Sequence, residues 1–226
     1  MNRHARRAIF FDLDGTLADS HGVMRQVFGN FAAAFGHDAT DAEFATVDGP
    51  PVPILIAKLK RDWGLPQKLP DLMHFYGTLL DAALLDVPPA PGTTVTLEAA
   101  FRHGWKVGVV TSNATTRTRT WLARRGLAPF VDVVVGGDDV CLGKPEPEPY
   151  LMALARSGCA RDASLAVEDS LPGARSALAA GLRTFGFAPE GREPIAWPEP
   201  VRLIGALDEL MPELTRQRFR RVAGLR

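Results

Sequence analysis

The sequence predicts an α/β protein, a doubly wound parallel sheet with an all-helical segment inserted after its first strand. Three observations lead there. A short apolar run, Ile9-Phe10-Phe11, opens the chain and ends in two aspartates; helical spacing alone fills residues 19 to 85; and from residue 94 helices alternate with buried strands. Such alternation makes a parallel sheet covered by helices through right-handed crossovers. The opening strand has no other sheet to join, so it belongs to this Rossmann-like core.

Taken in order, Ile9 to Phe11 reads as a strand with both faces covered. Asp19 or Ser20 can then cap a helix carrying Val23, Met24, Val27, Phe28, Phe31 and Phe35 at helical spacing, and Gly36 can stop it. A second helix is expected from about Pro51 to Trp63, with Leu55, Leu59 and Trp63 on one face, and a third over roughly Leu69 to Leu85. The segment Val87-Pro88-Pro89-Ala90-Pro91-Gly92 is semi-rigid and suits a hinge. Residues 1–16 and 88–226 are therefore expected to form the core, and 17–87 an inserted helical domain.

Beyond the hinge the expected order is a helix near Thr94 to His103, the strand Trp105 to Val110, a helix near Ala114 to Arg125 and the strand Val131 to Val135. A helix near Pro147 to Arg156, the strand Ser164 to Val167, a helix near Pro172 to Ala180 and a short strand Leu182 to Phe185 follow. In open parallel sheets the ligand site lies beyond the carboxyl ends of the strands.

Composition narrows the class. With 46% apolar residues, 23% charged and a formal net charge of zero, the 226-residue chain has no general attraction to nucleic acid or to a membrane surface. No run of about 18 apolar residues could span a bilayer, and the apolar run behind the basic N-terminus is too short for a signal peptide. Cys141 and Cys159 are too few for a disulfide framework and lack metal-ligand spacing, which fits a reducing cytoplasm. The arginines 216, 218, 220, 221 and 226 read as a solvated basic tail.

The chemistry-bearing residues gather at strand ends. Strand alternation sends Asp12 and Asp14 to one side, and two like charges so close call for a cation, a shared proton or a split of roles. Gly15 allows a sharp turn after them. Thr111-Ser112-Asn113 ends the second strand with hydroxyl and amide donors before a helix N-terminus, a cradle for phosphate oxygens, although such residues also cap helices generally. Gly143-Lys144-Pro145 holds a lysine on a stiffened loop, and Glu168-Asp169-Ser170 is a second acidic pair at a strand end. One pocket would collect Asp12, Asp14, Thr111, Lys144, Glu168 and Asp169. Several carboxylates with open positions suit Mg²⁺ and a substrate phosphate, and a lysine and hydroxyls beside that ion describe phosphoryl transfer.

These residues resemble the motifs of the haloacid dehalogenase-like hydrolase superfamily, in particular its phosphoglycolate phosphatase-like members with a helical cap. The first motif stands at Asp12 to Thr16, the second at Thr111, the third at Lys144 before Pro145, and the fourth at Glu168-Asp169-Ser170 with Gly173 and Ala177. The resemblance implies that Asp12 is the nucleophile, forming an aspartyl-phosphate, and that Asp14 protonates the leaving oxygen and then activates water. It implies Mg²⁺ on Asp12, the backbone carbonyl of Asp14, Asp169 and Glu168, the last directly or through water. Thr111, with backbone amides near Ser112 and Asn113, would hold the phosphoryl oxygens, and Lys144 would offset their charge.

Within the superfamily, dehalogenases lack the second aspartate because a halide leaves without a proton, so Asp14 argues for phosphate ester cleavage. The specificity loop corresponds to Val47-Asp48-Gly49-Pro50-Pro51-Val52, with Gly49 as a substrate-binding candidate; it carries a carboxylate where β-phosphoglucomutase-like relatives place cations. His21 is a further substrate-binding candidate, and Lys58, His74 and Tyr76 are the other residues of the helical segment to examine. The expected function is a cytoplasmic, Mg²⁺-dependent phosphatase of a small phosphorylated metabolite, monomeric or homodimeric, with no nucleic-acid or membrane partner. A phosphomutase is the alternative, and a non-catalytic binding protein a more distant one.

Overall fold

The structure, a computed structural model, describes residues 6–47, 50, 52–191 and 195–216. Its centre is one parallel sheet of β1 (Ala8–Phe11), β2 (Lys106–Val110), β3 (Val133–Val135), β4 (Leu165–Glu168), β5 (Arg183–Phe187) and β6 (Arg202–Ile204), in the order β3-β2-β1-β4-β5-β6. Register places Phe10 opposite Gly108 on one side and Ala166 on the other. A Cβ on Gly108 would lie 2.5 Å from the Phe10 ring, so that glycine is what lets the ring cross β2.

Alternate residues of the strands feed two separate cores, as period-two geometry requires. Ile9, Phe11, Val107, Val109 and Val167 face α5 (Thr93–Arg102), α6 (Thr115–Arg124) and α9 (Met211–Thr215) through Leu97, Trp121 and Leu214. Phe10, Val110, Val135 and Ala166 face α7 (Glu148–Ser157) and α8 (Leu171–Ala179) through Tyr150, Ala153 and Ala177. Helices on both faces make the fold doubly wound. Strand order reverses at β1, whose neighbours β2 and β4 continue the chain in opposite directions, so a crevice opens between the carboxyl ends of β1 and β4.

The remaining helices, α1 (His21–Ala34), α2 (Asp41–Val47), α3 (Val52–Asp62) and α4 (Leu69–Leu84), follow β1 and pack on one another, α4 touching both α1 and α3. Phe31 is their hub: its ring centroid lies 5.0 Å from Phe35, 5.2 Å from Tyr76 and 5.8 Å from Phe75. The two chain segments joining these helices to the sheet bond to each other. Asp19 N–H donates to the Pro88 carbonyl at 3.0 Å and Ala90 N–H to the Leu17 carbonyl at 2.8 Å.

Several expectations need correction. Helix α2 was not foreseen, although Thr40-Asp41-Ala42-Glu43 is a capping box: Glu43 N–H donates to Thr40 Oγ1 at 3.1 Å and Thr40 N–H to Glu43 Oε2 at 3.2 Å. Strand β6 and helix α9 were also missed, being only three and five residues long. Strand β3 starts at Val133 rather than Val131, because Ala128–Phe130 forms a 3₁₀ turn and the Asp132 carboxylate takes the Val107 N–H at 3.0 Å. Strand β5 runs on to Phe187, where β6 supplies its ladder partner Ile204. Ser20 precedes α1 without a capping bond from its side chain. Gly49, Asp48 and Pro51 of the specificity loop and the arginines beyond Arg216 lie outside the described residues. Among the described residues no helix is long and apolar enough to cross a membrane.

Candidate active site

Strand β1 delivers Asp12 directly, since its N–H still bonds the Val167 carbonyl of β4 at 2.9 Å and so extends the ladder by one residue. After Asp14 the chain reverses. Gly15 has φ 85°, a backbone angle that strains any residue with a Cβ, and Ala18 N–H returns to the Leu13 carbonyl at 2.8 Å. Asp12 is therefore held at the crevice, and Asp14 stands where the tight turn departs toward α1.

Three ionisable groups meet in the buried floor. Lys144 Nζ lies 2.6 Å from Asp12 Oδ1 and 2.5 Å from Glu168 Oε1, and it also donates to the Val110 carbonyl at 3.0 Å. Tyr150 donates its hydroxyl to the same Glu168 oxygen at 2.5 Å. Ser170 Oγ donates to Glu168 Oε2 at 3.3 Å and in turn caps α8, accepting from Gly173 N–H at 3.1 Å. Glu168 is thus fixed from three elements.

The electrostatics follow from this packing. Burial alone would pull the Lys144 ammonium down, but the charges of Asp12 and Glu168 more than offset it and hold the group above its ordinary value. Glu168 is pushed up to about 7, by burial first and then by Asp12, against the pull of Lys144. Burial, reinforced by Glu168, raises the Tyr150 phenol, so it remains a donor. Asp14 is raised to about 6 by burial and the neighbouring Asp12 charge, against the Asn113 amide and Lys144.

One lysine does not balance the carboxylates here. Oxygens of Asp12, Glu168 and Asp169 lie within 4.8 Å of one another, and Asp12 Oδ2 is buried with no hydrogen-bond partner. A buried carboxylate oxygen left without a donor is costly. A set of hard oxygen donors this close together fits Mg²⁺.

Opposite this floor, Thr111 is buried at the end of β2, and its hydroxyl accepts the Asn113 N–H at 3.0 Å, which curls residues 111–113 toward the crevice. The loop after β3 packs close against that curl: a Cβ on Gly137 would lie 2.4 Å from the Ser112 carbonyl, and Gly137 N–H donates to Asn113 O at 2.8 Å. Asn113 Nδ2 is 3.4 Å from Asp14 Oδ2.

The sheet therefore brings Asp12, Asp14, Thr111, Asn113, Lys144, Glu168 and Asp169 to one end. Residues of the helical segment are spread more widely. His21 begins α1 with its ring 5.6 Å from that of Phe44. Lys58 pairs with Asp62 at 2.8 Å, His74 is exposed, and Tyr76 is buried in the aromatic cluster around Phe31. Tyr76 is a packing residue. Two neighbours were missed from the sequence. Tyr150 carries a hydroxyl on an otherwise apolar helix face and so needs a buried partner, while Arg117 stands one helical turn after Asn113, the spacing at which side chains meet.

Comparison with known proteins identifies the family. Residues 9–187 match the family model described as haloacid dehalogenase-like hydrolase. A phosphoglycolate phosphatase of Cereibacter sphaeroides is 33% identical over 195 residues, covering 81% of this chain and 85% of that protein. A phosphorylated carbohydrates phosphatase of Thermotoga maritima is 29% identical, covering 79% and 84%. Among solved structures, CbbY from Rhodobacter sphaeroides in complex with phosphate superposes with a TM-score of 0.77 at 25% identity, covering 92% of this chain and 96% of that one. With the family model spanning most of its length and a relative 33% identical over 81% of it, the chain belongs to the haloacid dehalogenase-like hydrolases and is an enzyme of that family.

Proposed function

We propose that the chain is a Mg²⁺-dependent phosphatase that hydrolyses a small phosphorylated metabolite, of the phosphoglycolate or sugar-phosphate kind, through a phosphorylated Asp12. The observation that carries this reading is the Asp12 carboxylate itself. One oxygen is neutralised by Lys144 at 2.6 Å and the other is buried without a hydrogen-bond partner beside Glu168 and Asp169. Relatives named as phosphatases of phosphoglycolate and of phosphorylated carbohydrates support the substrate class.

Asp12 Oδ2, Glu168, Asp169 and the Asp14 carbonyl are the groups assigned to hold Mg²⁺, which when bound would offset the charge of the transferring phosphoryl group. Asp12 attacks phosphorus; the P–O bond to the ester oxygen breaks as Asp14, whose proton affinity is raised by its buried position, donates its proton to that oxygen. Asp14, now a carboxylate, takes a proton from the water that releases phosphate and regenerates Asp12. Thr111 and the backbone amides of Ser112 and Asn113 hold the phosphoryl oxygens, and Lys144 offsets charge on Asp12 and on the transferring group. Helices α1 to α4, bounded by residues 17 and 87, act as a cap that excludes water and selects the ester, with His21 and Gly49 assigned to substrate. We place the enzyme in the cytoplasm, consistent with the free thiols of Cys141 and Cys159.

The test is a panel of phosphoglycolate, sugar phosphates and p-nitrophenyl phosphate, each with Mg²⁺ and with chelator, measured by free phosphate. Mg²⁺-dependent release from at least one metabolite supports the proposal. Interconversion of sugar-phosphate isomers with little free phosphate would assign the chain to mutases instead, and no turnover on any ester would make it a binding protein.

A further inference from the structure

Helix α6 grips the end of the helical segment with a row of side chains about one turn apart. Trp121 Nε1–H donates to the Val87 carbonyl at 2.9 Å, Arg125 donates to the Leu85 carbonyl at 3.1 Å, and Arg124 lies 3.3 Å from Asp86. Arg117 begins this row but does more. Its Nε–H donates to Asp81 Oδ1 on α4 at 2.6 Å, while Nη1–H donates to Asn113 Oδ1 at 2.5 Å. The Arg117 side chain is only 16% exposed, and it lines with Asp14 and Asn113 a small cavity closed by Leu84, Val87 and Trp121.

The chemistry of these groups dictates an orientation. A guanidinium has donors only, so the amide group of Asn113 must turn its oxygen toward Arg117, which leaves Nδ2 facing Asp14 Oδ2. The Asn113 oxygen also accepts the Ala114 N–H at 3.0 Å, so Arg117 is the second of two donors that hold the amide in this orientation, and without it the hold is reduced to the one backbone bond. The continuous chain Asp81, Arg117, Asn113, Asp14 also begins on the helical segment and ends on the residue assigned to proton transfer.

We propose that Arg117 is a positioning residue, which fixes the Asn113 amide against Asp14 and ties that orientation to α4 through Asp81. The proposal rests on the phosphatase reading. Because the fixed group is the leaving-oxygen acid and not a substrate anchor, loss of Arg117 lowers kcat and leaves KM nearly unchanged.

The experiment is a double-mutant cycle on p-nitrophenyl phosphate and on the best metabolite of the panel, using Arg117→Met, which keeps the aliphatic stem in the cavity, and Asn113→Ala, which keeps the backbone amide. Each single variant is expected to lose about tenfold in kcat with KM within about threefold, and the double variant to lose no more than the worse single one. Arg117→Lys, with a point charge in place of the fork, is expected to recover only part of the loss. Multiplying losses, or an Arg117→Met variant with wild-type kcat, overturns the proposal; if Arg117→Met does not fold, the Arg117→Lys and Asn113→Ala pair is read by the same criterion. Absence of turnover in the wild type would instead be a failure of the phosphatase reading.

Discussion

Lys144 Nζ stands 2.6 Å from Asp12 Oδ1, and the partner oxygen of that same carboxylate is buried with no hydrogen bond. The asymmetry divides one side chain into a neutralised half and an open half. Lys144 is shared with Glu168, so removing it leaves two buried carboxylates facing each other.

Replacing Lys144 by methionine should therefore cost about 3–5 kcal/mol of stability, the usual penalty for breaking a buried ion pair from one side. Turnover should fall by at least about 100-fold. Urea unfolding and steady-state kinetics on p-nitrophenyl phosphate check the two effects, and a variant of wild-type stability would show that Lys144 does not neutralise the floor.

Gly173 tests how Glu168 is placed. A Cβ there would lie 1.9 Å from Glu168 Oε2, a contact that must be relieved by moving the carboxylate or α8. Gly173→Ala is expected to destabilise by about 1–3 kcal/mol, as overpacking does, and to weaken Mg²⁺ binding measured by calorimetry. Unchanged Mg²⁺ affinity would remove Glu168 from the metal site.

Asp139 sets an acid limit on stability away from the chemistry. It accepts from Arg156 at 2.9 and 3.0 Å, from Thr115 Oγ1 at 2.7 Å and from Gly136 N–H at 3.0 Å. The Arg156 hydrogen bonds above all, then Thr115 and Gly136, hold its carboxyl well below the usual range. The unfolded chain, with a value near about 4, takes up the proton first as pH falls. The stabilisation is thus complete above about pH 5 and is lost below it. Asp139→Asn should lower stability at pH 7 and flatten its decline between about pH 5 and 2, which urea titrations at several pH values would record.

Asp14→Asn should discriminate between esters. General acid catalysis matters most for poor leaving groups, so the variant is expected to lose about 10²–10⁴-fold on an alkyl phosphate and distinctly less on p-nitrophenyl phosphate in the step that releases nitrophenol. Equal losses on both, measured as single-turnover rates, would deny Asp14 the acid role.

Much of this architecture was legible in the sequence because the relevant signals are local. Buried strands ending in polar residues identified β1, β2, β4 and the acidic pairs, and the alternation with helices placed them in one sheet. What escaped was set by partners distant in sequence or by lengths too short for periodicity. Strand β6 is three residues whose pairing to β5 supplies its identity. Arg117 lies on a polar helix where no local pattern marks it, and only Asp81 and Asn113, which flank it in the fold, set it apart. Tyr150 gained meaning only when Glu168 met its hydroxyl across the sheet end. Helix α2 is the exception, since its Thr40 to Glu43 capping box was readable and was passed over.

The division of roles between Asp12 and Asp14 is the centre of this account, and pre-steady-state release of nitrophenolate by the Asp14→Asn variant in Mg²⁺ tests it most directly. With an activated leaving group Asp12 can still be phosphorylated, while the water-activating base is missing. The account predicts a burst of about one nitrophenolate per active site followed by a steady state at least about 100-fold below the wild type. Linear release from the first turnover at a rate close to the wild type would contradict it.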